Sequence, residues 1–89
     1  MSEQLGQNEI LLEMPFSVGG KPVEKIRLRR PKARDLIAGA RKKNQAEQTI
    51  TILSNLSDVP VKDLEEMDLK DYTKLALWLE DFFPDREEN

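Results

Sequence analysis

The sequence predicts an α+β domain in which a small N-terminal β-hairpin packs on three to four helices, so that the fold is mainly helical. Three observations predict this class. Apolar and polar residues alternate, as in a strand, only in the first third of the chain. In the rest of the chain apolar residues recur at the spacing of a helix, and prolines and capping residues separate the segments. Because the chain has 89 residues, it can form one small domain with a thin core.

The hairpin is predicted over residues 9–30. Its two strands, ILLEMPFSV and PVEKIRLRR, flank a Gly-Gly-Lys loop whose glycines permit positive φ. In the second strand Ile26 and Leu28 alternate with basic residues, which is typical of a strand that buries one face. Pro15 cannot donate a hydrogen bond to a central strand, so the first strand is an edge strand or is broken there.

Helical segments are predicted at about residues 32–43, 45–57, 61–67 and 69–83. Asn44, with Glu47 three residues later, is typical of a helix cap, and Asp68 has the same role before the last helix. The first two segments could also form one continuous helix with a kink near Asn44. Residues 1–8 and the acidic residues 84–89 are predicted to be disordered, which leaves 9–83 as a single domain.

The apolar stripes of the helices predict which faces are buried. In the first helix this stripe consists of Leu36, Ile37 and Ala40. The last helix has a longer one, formed by Leu69, Tyr72, Leu75, Ala76, Leu79 and Phe82. Trp78 lies off that stripe and, with Phe83, is a candidate apolar anchor for a protein partner. Because the core of so small a domain is thin, Trp78 could equally be part of that core.

Charge is distributed unequally along the chain. Residues 21–43 contain ten basic residues against two acidic ones, whereas residues 58–89 contain eleven acidic and four basic residues. Two such halves can neutralise one another within one molecule or between neighbours. Since residues 19–60 contain no aromatic side chain on which a base could stack, the basic segment retains only non-specific attraction for phosphates. We therefore expect no specific nucleic-acid partner.

The composition lacks residues on which most kinds of enzyme active site depend. The chain has no cysteine and no histidine, and its GGKP segment lacks the Ser or Thr that would bind magnesium in a phosphate loop. The carboxylates of residues 63–71 lack the glycine of a calcium loop. We therefore predict no enzyme activity, catalytic residue, cofactor or metal site. The longest apolar run, residues 75–79, is far below the roughly 20 residues that cross a membrane, so no membrane partner is expected.

The order of the motifs gives a more specific hypothesis. The hairpin with its Gly turn leads into I-x-L-R-x-P-x-x-x-D-L, at residues 26–36, whose first residues belong to the second strand. Then come LSNL at 53–56, Pro60, Asp63-Leu64, Met67 and DLKD at 68–71. Over about residues 18–83 this order resembles the tail assembly chaperones of long-tailed phages, in the group named for the Mu-like and P2-like E proteins. The chain departs from the group at Ser57 and Asp58, where a glycine is usual, and at the irregular first strand.

The resemblance implies a non-enzymatic protein of the bacterial host cytoplasm that is absent from the mature virion. Such a protein binds and solubilises the tape measure protein and helps the tail tube protein to assemble around it. Self-association, head to tail, is compatible with the separated charges. The candidate partner-binding residues are Arg29, Arg34, Arg41, Lys42, Lys43, Trp78 and Phe83. The main alternative is a small DNA-binding transcriptional regulator that uses residues 27–43, and a third is a minor tail protein of the virion.

Overall fold

The computed structural model describes residues 8–83. Two strands precede four helices, in the order β1 (Glu9–Val18), β2 (Lys21–Arg27), α1 (Ala33–Ala40), α2 (Gln45–Ser57), α3 (Val61–Leu64) and α4 (Leu69–Glu80). The predicted α+β class with its N-terminal hairpin is confirmed. The disorder predicted for the two ends lies outside the described residues, apart from Asn8. Within the described range, no helix is long and apolar enough to cross a membrane.

β1 and β2 pair in the antiparallel direction and join through a tight turn. Gly19 and Gly20 have φ angles of 61° and 85°. A two-residue hairpin turn whose twist matches that of the two strands needs a positive φ at both of its central residues. The register is regular at both ends of the hairpin but shifts between Leu11 and Phe16. Pro15 lies in this irregular segment, as expected for a residue that cannot donate to a ladder.

The core lies between the inner face of the hairpin and α2, α3 and α4. Its buried apolar residues are Leu12, Phe16, Ile26, Leu28, Ile52, Leu53, Leu56, Val59, Leu64, Met67, Leu75 and Leu79. None of these residues belongs to α1, which contacts mainly α2. The hairpin and α2 to α4 thus form the packed body of the domain, and α1 lies on its surface.

The helix ends follow local signals. Asn44 accepts a hydrogen bond from the backbone N–H of Glu47 at 2.9 Å, and Asp68 accepts one from that of Lys70 at 3.0 Å, so both predicted caps are confirmed. α1 ends at Ala40, earlier than predicted, and the turn that follows it separates α1 from α2. α3 and α4 are likewise three residues shorter than the predicted segments 61–67 and 69–83.

α1 is oriented opposite to the prediction. Leu36 and Ile37 are 51% and 57% exposed and Ala40 is also exposed, whereas the buried residues of this helix are Asp35 and Gly39. The prediction that the apolar stripe of α1 enters the core is therefore wrong. The same holds for the first residue of the stripe of α4, since Leu69 is 75% exposed.

Gly39 explains why α1 presents this face to α2. A Cβ atom at position 39 would lie 2.8 Å from both Cγ1 and Cδ1 of Ile52, a distance that real Cβ atoms do not adopt. The absence of a side chain lets the two helix backbones approach closely. This close contact requires the glycine side of α1 to face inward, so the apolar stripe on the other side faces the solvent.

Candidate partner-binding site

An exposed apolar stripe runs along α1. It consists of Ala33, Leu36, Ile37 and Ala40, all of them exposed, and we call it the α1 stripe. Their spacing of three and four residues places them on one side of the helix. Single exposed apolar residues are ordinary on a protein surface, but a contiguous exposed stripe indicates an interaction site.

A groove continues from this stripe toward α2 and the end of α4. It has a volume of about 460 Å³, and its lining residues are Leu36, Gln45, Gln48, Thr49, Ile52, Leu79 and Phe83. We call it the α1 groove. Because Leu36 belongs to both features, the stripe and the groove form one continuous surface.

Basic side chains occur on α1 and in the turn that follows it. Arg34 projects from α1, and Arg41, Lys42 and Lys43 follow its last residue; all four are exposed. The backbone oxygen of Lys42 accepts a hydrogen bond from Nε2 of Gln48 at 3.4 Å, which places the turn after α1 beside the groove. Arg41, Lys42 and Lys43 therefore lie in the turn beside the α1 groove, whereas Arg34 lines another pocket, together with Asp58 and Pro60.

Arg29 has a different environment. Its guanidinium donates two hydrogen bonds to the carboxylate of Asp35, at 2.8 and 2.9 Å, and Asp35 also accepts the backbone N–H of Lys32 at 2.8 Å. The hydrogen bonds from Arg29 hold the pKa of Asp35 below the ordinary value, although Asp35 is buried and burial opposes its charge. Arg29 thus connects the segment after β2 to the first turn of α1.

Trp78 is half-buried and packs against the core. Its ring makes an edge-to-face contact with Phe82, with 4.7 Å between centroids and 60° between planes. The guanidinium of Arg30 lies 5.1 Å from the centroid of Phe82. Aromatic and cation–π contacts of this geometry stabilise a fold, so Trp78 helps to attach the end of α4 to the segment after β2.

Replacing Trp78 by Ala is expected to lower the free energy of unfolding by about 2 kcal/mol, since the change removes the contact with Phe82 and half-buried apolar area. Thermal unfolding followed by circular dichroism would measure this effect. The matched control is Leu77→Ala in the same helix, because Leu77 is 60% exposed. An unchanged melting temperature for the Trp78 variant, combined with lost partner binding, would instead assign Trp78 to the interface.

Asp71 is a structural residue whose role the sequence did not predict. It lies near the start of α4, and its carboxylate is fully buried. It accepts the backbone N–H groups of Glu13 and Met14, each at 2.9 Å, in the irregular part of β1. Burial raises the pKa of Asp71, and these two hydrogen bonds together with Lys74 outweigh it and keep the pKa below the ordinary value.

The α1 stripe, the α1 groove and their basic residues have the features of a protein-binding surface. Residues 9–84 match the model of a family described as phage tail assembly chaperone proteins, E, or 41 or 14. The chain therefore belongs to this family, and the resemblance seen in the sequence is confirmed at that level. Membership in the narrower Mu-like and P2-like E group remains a prediction. No curated protein and no solved structure matches the chain.

Proposed function

We propose that this protein is a non-enzymatic chaperone that binds the phage tape measure protein in the host cytoplasm and keeps it soluble until the tail tube protein assembles around it. Membership in a tail assembly chaperone family supports a role in tail assembly. The observation that favours a client-binding role is the exposed α1 stripe, which is continuous with the α1 groove. The protein is proposed to leave before the virion is complete.

The chemistry of the surface indicates what kind of segment it binds. A client helix that lays an apolar face on Leu36, Ile37 and Phe83 removes that face from water, which is how a groove protects an aggregation-prone helix. Arg41, Lys42 and Lys43 lie in the turn beside the α1 groove. They favour acidic side chains beside the apolar face of the client. We therefore propose that the bound segment is an acidic amphipathic helix.

The proposal is tested by capture of the tape measure protein. A tagged form of this protein and the tape measure protein are produced together, treated with nuclease and purified by the tag, and bound chains are identified by mass spectrometry. Wild type is expected to recover the tape measure protein in soluble form. The Leu36→Glu/Ile37→Glu variant should recover at least tenfold less, because the charges oppose apolar docking.

Leu77→Glu is the matched control, since Leu77 is as exposed as Ile37 but belongs to α4, outside the α1 stripe and the α1 groove. It should capture the client like wild type, and all three proteins should unfold at similar temperatures. Equal capture by the wild type and the Leu36→Glu/Ile37→Glu variant would contradict the proposed surface. Recovery of nucleic acid before nuclease treatment, and of no protein partner after it, would instead favour the DNA-binding alternative.

A further inference from the structure

A second groove lies between the start of α2 and the corner where α3 leads into α4. Its volume is about 480 Å³, and its lining residues are Ala46, Glu47, Ile50, Leu64, Glu65, Met67, Leu69 and Tyr72. We call it the acidic groove. Leu64 and Met67 are buried and belong to the core, whereas Leu69 is 75% exposed. The lining therefore extends from the core to an exposed apolar side chain, which is typical of a surface that a partner covers.

The charges of this groove have the opposite sign to those beside the α1 groove. Glu47 and Glu65 line it from two different parts of the chain, and both are exposed. Glu66 and Asp68, next to lining residues in the chain, are also exposed. Among the residues that the structure describes, the lining contains no basic side chain. The turn beside the α1 groove, in contrast, has three basic residues at positions 41–43.

The two grooves lie on different sides of α2. The α1 groove uses residues 45, 48, 49 and 52 of this helix, whereas the acidic groove uses residues 46, 47 and 50. At 3.6 residues per turn, these two sets face roughly opposite directions. Only the width of one helix, about 10 Å, therefore separates two apolar grooves whose charges are of opposite sign.

We propose that the acidic groove binds a basic amphipathic helix of the same client whose acidic helix docks on the α1 groove, an inference that rests on the proposed function. The apolar face of this second helix covers Ile50, Leu69 and Tyr72. Its basic side chains pair with Glu47 and Glu65. An acidic helix in the same place brings like charges together, so the groove selects client segments by their charge.

The short distance between the two grooves favours a single client over two separate partners. Once one segment of a client is bound, a neighbouring segment of the same polypeptide meets the other groove at a high effective concentration. The two contacts together then hold the client more tightly than either contact does alone. The chaperone is therefore selective for a polypeptide in which acidic and basic amphipathic helices follow one another.

Two designed helical peptides test the charge preference of the acidic groove. They share the same leucine positions, and one carries lysine where the other carries glutamate. Fluorescence anisotropy of each labelled peptide at physiological salt measures its affinity. Glu47→Lys/Glu65→Lys should bind the lysine peptide at least about tenfold more weakly than wild type, because the peptide then faces like charges. It should still bind the glutamate peptide, which shows that the variant is folded and retains the α1 groove.

The charge control is Glu24→Lys/Asp81→Lys, which changes the net charge by the same amount at two exposed positions outside the acidic groove. Its affinity for the lysine peptide should stay within about twofold of wild type, because distant exposed charges are screened. An unchanged affinity of Glu47→Lys/Glu65→Lys for this peptide, or an equal loss in the charge control, would overturn the proposal.

Leu69→Ser tests the apolar part of the contact. It should also weaken binding of the lysine peptide, since it removes the most exposed apolar side chain of the lining. The matched control is Leu77→Ser, because Leu77 is an exposed leucine of the same helix that lines neither groove. Equal affinities of these two variants for the peptide would contradict docking in the acidic groove.

Capture of the tape measure protein separates this inference from the proposed function. Glu47→Lys/Glu65→Lys should recover less of it than wild type and less than the charge control, since one of two contacts is lost. Failure of wild type to recover any would contradict the proposed function itself. Recovery by wild type and equal recovery by Glu47→Lys/Glu65→Lys would leave the proposed function standing and overturn the inference.

A second copy of this chain is the competing occupant of the acidic groove. Light scattering without the client compares wild type with Glu47→Lys/Glu65→Lys over a wide concentration range. The two proteins are expected to have the same mass at every concentration. A mass that rises with concentration for wild type, but stays monomeric for the variant, would assign the groove to a second copy and overturn the inference.

Discussion

Replacement of Asp71 by Ala is expected to lower the free energy of unfolding by about 3 kcal/mol, because it leaves the N–H groups of Glu13 and Met14 without their acceptor. A domain of this size has a total stability of roughly 4 to 13 kcal/mol, so the loss is a large fraction of it. The melting temperature should fall by roughly 15 °C. Urea unfolding followed by circular dichroism would measure the change.

The control for this prediction is Asp81→Ala, since Asp81 is an exposed aspartate at the other end of α4. Its effect should be within about 0.5 kcal/mol. An equally small effect of Asp71→Ala would mean that the buried carboxylate does not hold the irregular part of β1.

The pH dependence provides a second readout for Asp71. The folded-state pKa of both Asp71 and Asp35 lies below the ordinary value of about 3.9, so the unfolded chain binds protons more readily than the folded one. Their stabilisation is fully present above pH 4 to 5 and is lost as the pH falls toward the folded-state pKa values. The difference in stability between wild type and Asp71→Ala should therefore become smaller below pH 4.

Arg29→Ala is expected to lower the free energy of unfolding more than Asp35→Ala does, although the two changes remove the same ion pair. Loss of Arg29 leaves a buried carboxylate with one remaining hydrogen bond, from Lys32, whereas loss of Asp35 leaves a guanidinium whose side chain is 37% exposed. We expect about 2 kcal/mol for the first change, less than for a fully buried pair because water can reach the site from the side of Arg29. For Asp35→Ala we expect about 1 kcal/mol.

A double-mutant cycle measures this asymmetry. The variant that lacks both side chains should lose no more stability than Arg29→Ala alone, because it contains no unpaired carboxylate. Arg29→Lys should also destabilise, since an ammonium cannot donate the two parallel hydrogen bonds of a guanidinium. Arg41→Ala, at an exposed arginine, serves as the control. Additive effects of the two single changes would contradict the proposed coupling.

The features that the sequence predicted correctly depend on nearby residues. The turn at Gly19 and Gly20 needs two positive φ angles, and the caps at Asn44 and Asp68 act within three positions of themselves. The irregularity around Pro15 follows from its missing N–H. Each of these signals is complete within a few residues of sequence, so no knowledge of the fold was needed to interpret it.

The features that the sequence did not reveal depend on residues far apart in the chain. Asp71 bonds to backbone groups 57 and 58 positions away, and nothing near it in the sequence indicates that β1 has N–H groups without a ladder partner. The orientation of α1 is similar. Its amphipathic pattern indicates that one face is apolar, but not whether the core or a partner covers that face.

The candidate site was predictable only in part for the same reason. Clustering of charge selected Arg34, Arg41, Lys42 and Lys43, and the turn that holds the last three lies beside the α1 groove, while their role as client contacts stays a prediction. Charge alone could not separate them from Arg29, whose carboxylate partner comes from the first turn of α1. Nor could it reveal a groove such as the one whose walls come from α2, α3 and α4.

The amino-acid sequence by itself therefore determined the element order, the hairpin turn, the helix caps and the membership in a family of tail assembly chaperones. Only the tertiary structure decided which face of α1 is free. That decision rests on Gly39, which lets α1 approach Ile52 of α2, and on Asp35, which Arg29 holds on the buried side. A rotation of α1 that buried the stripe would put larger side chains at the close contact with Ile52 and would separate Asp35 from Arg29, so the apolar stripe remains on the surface.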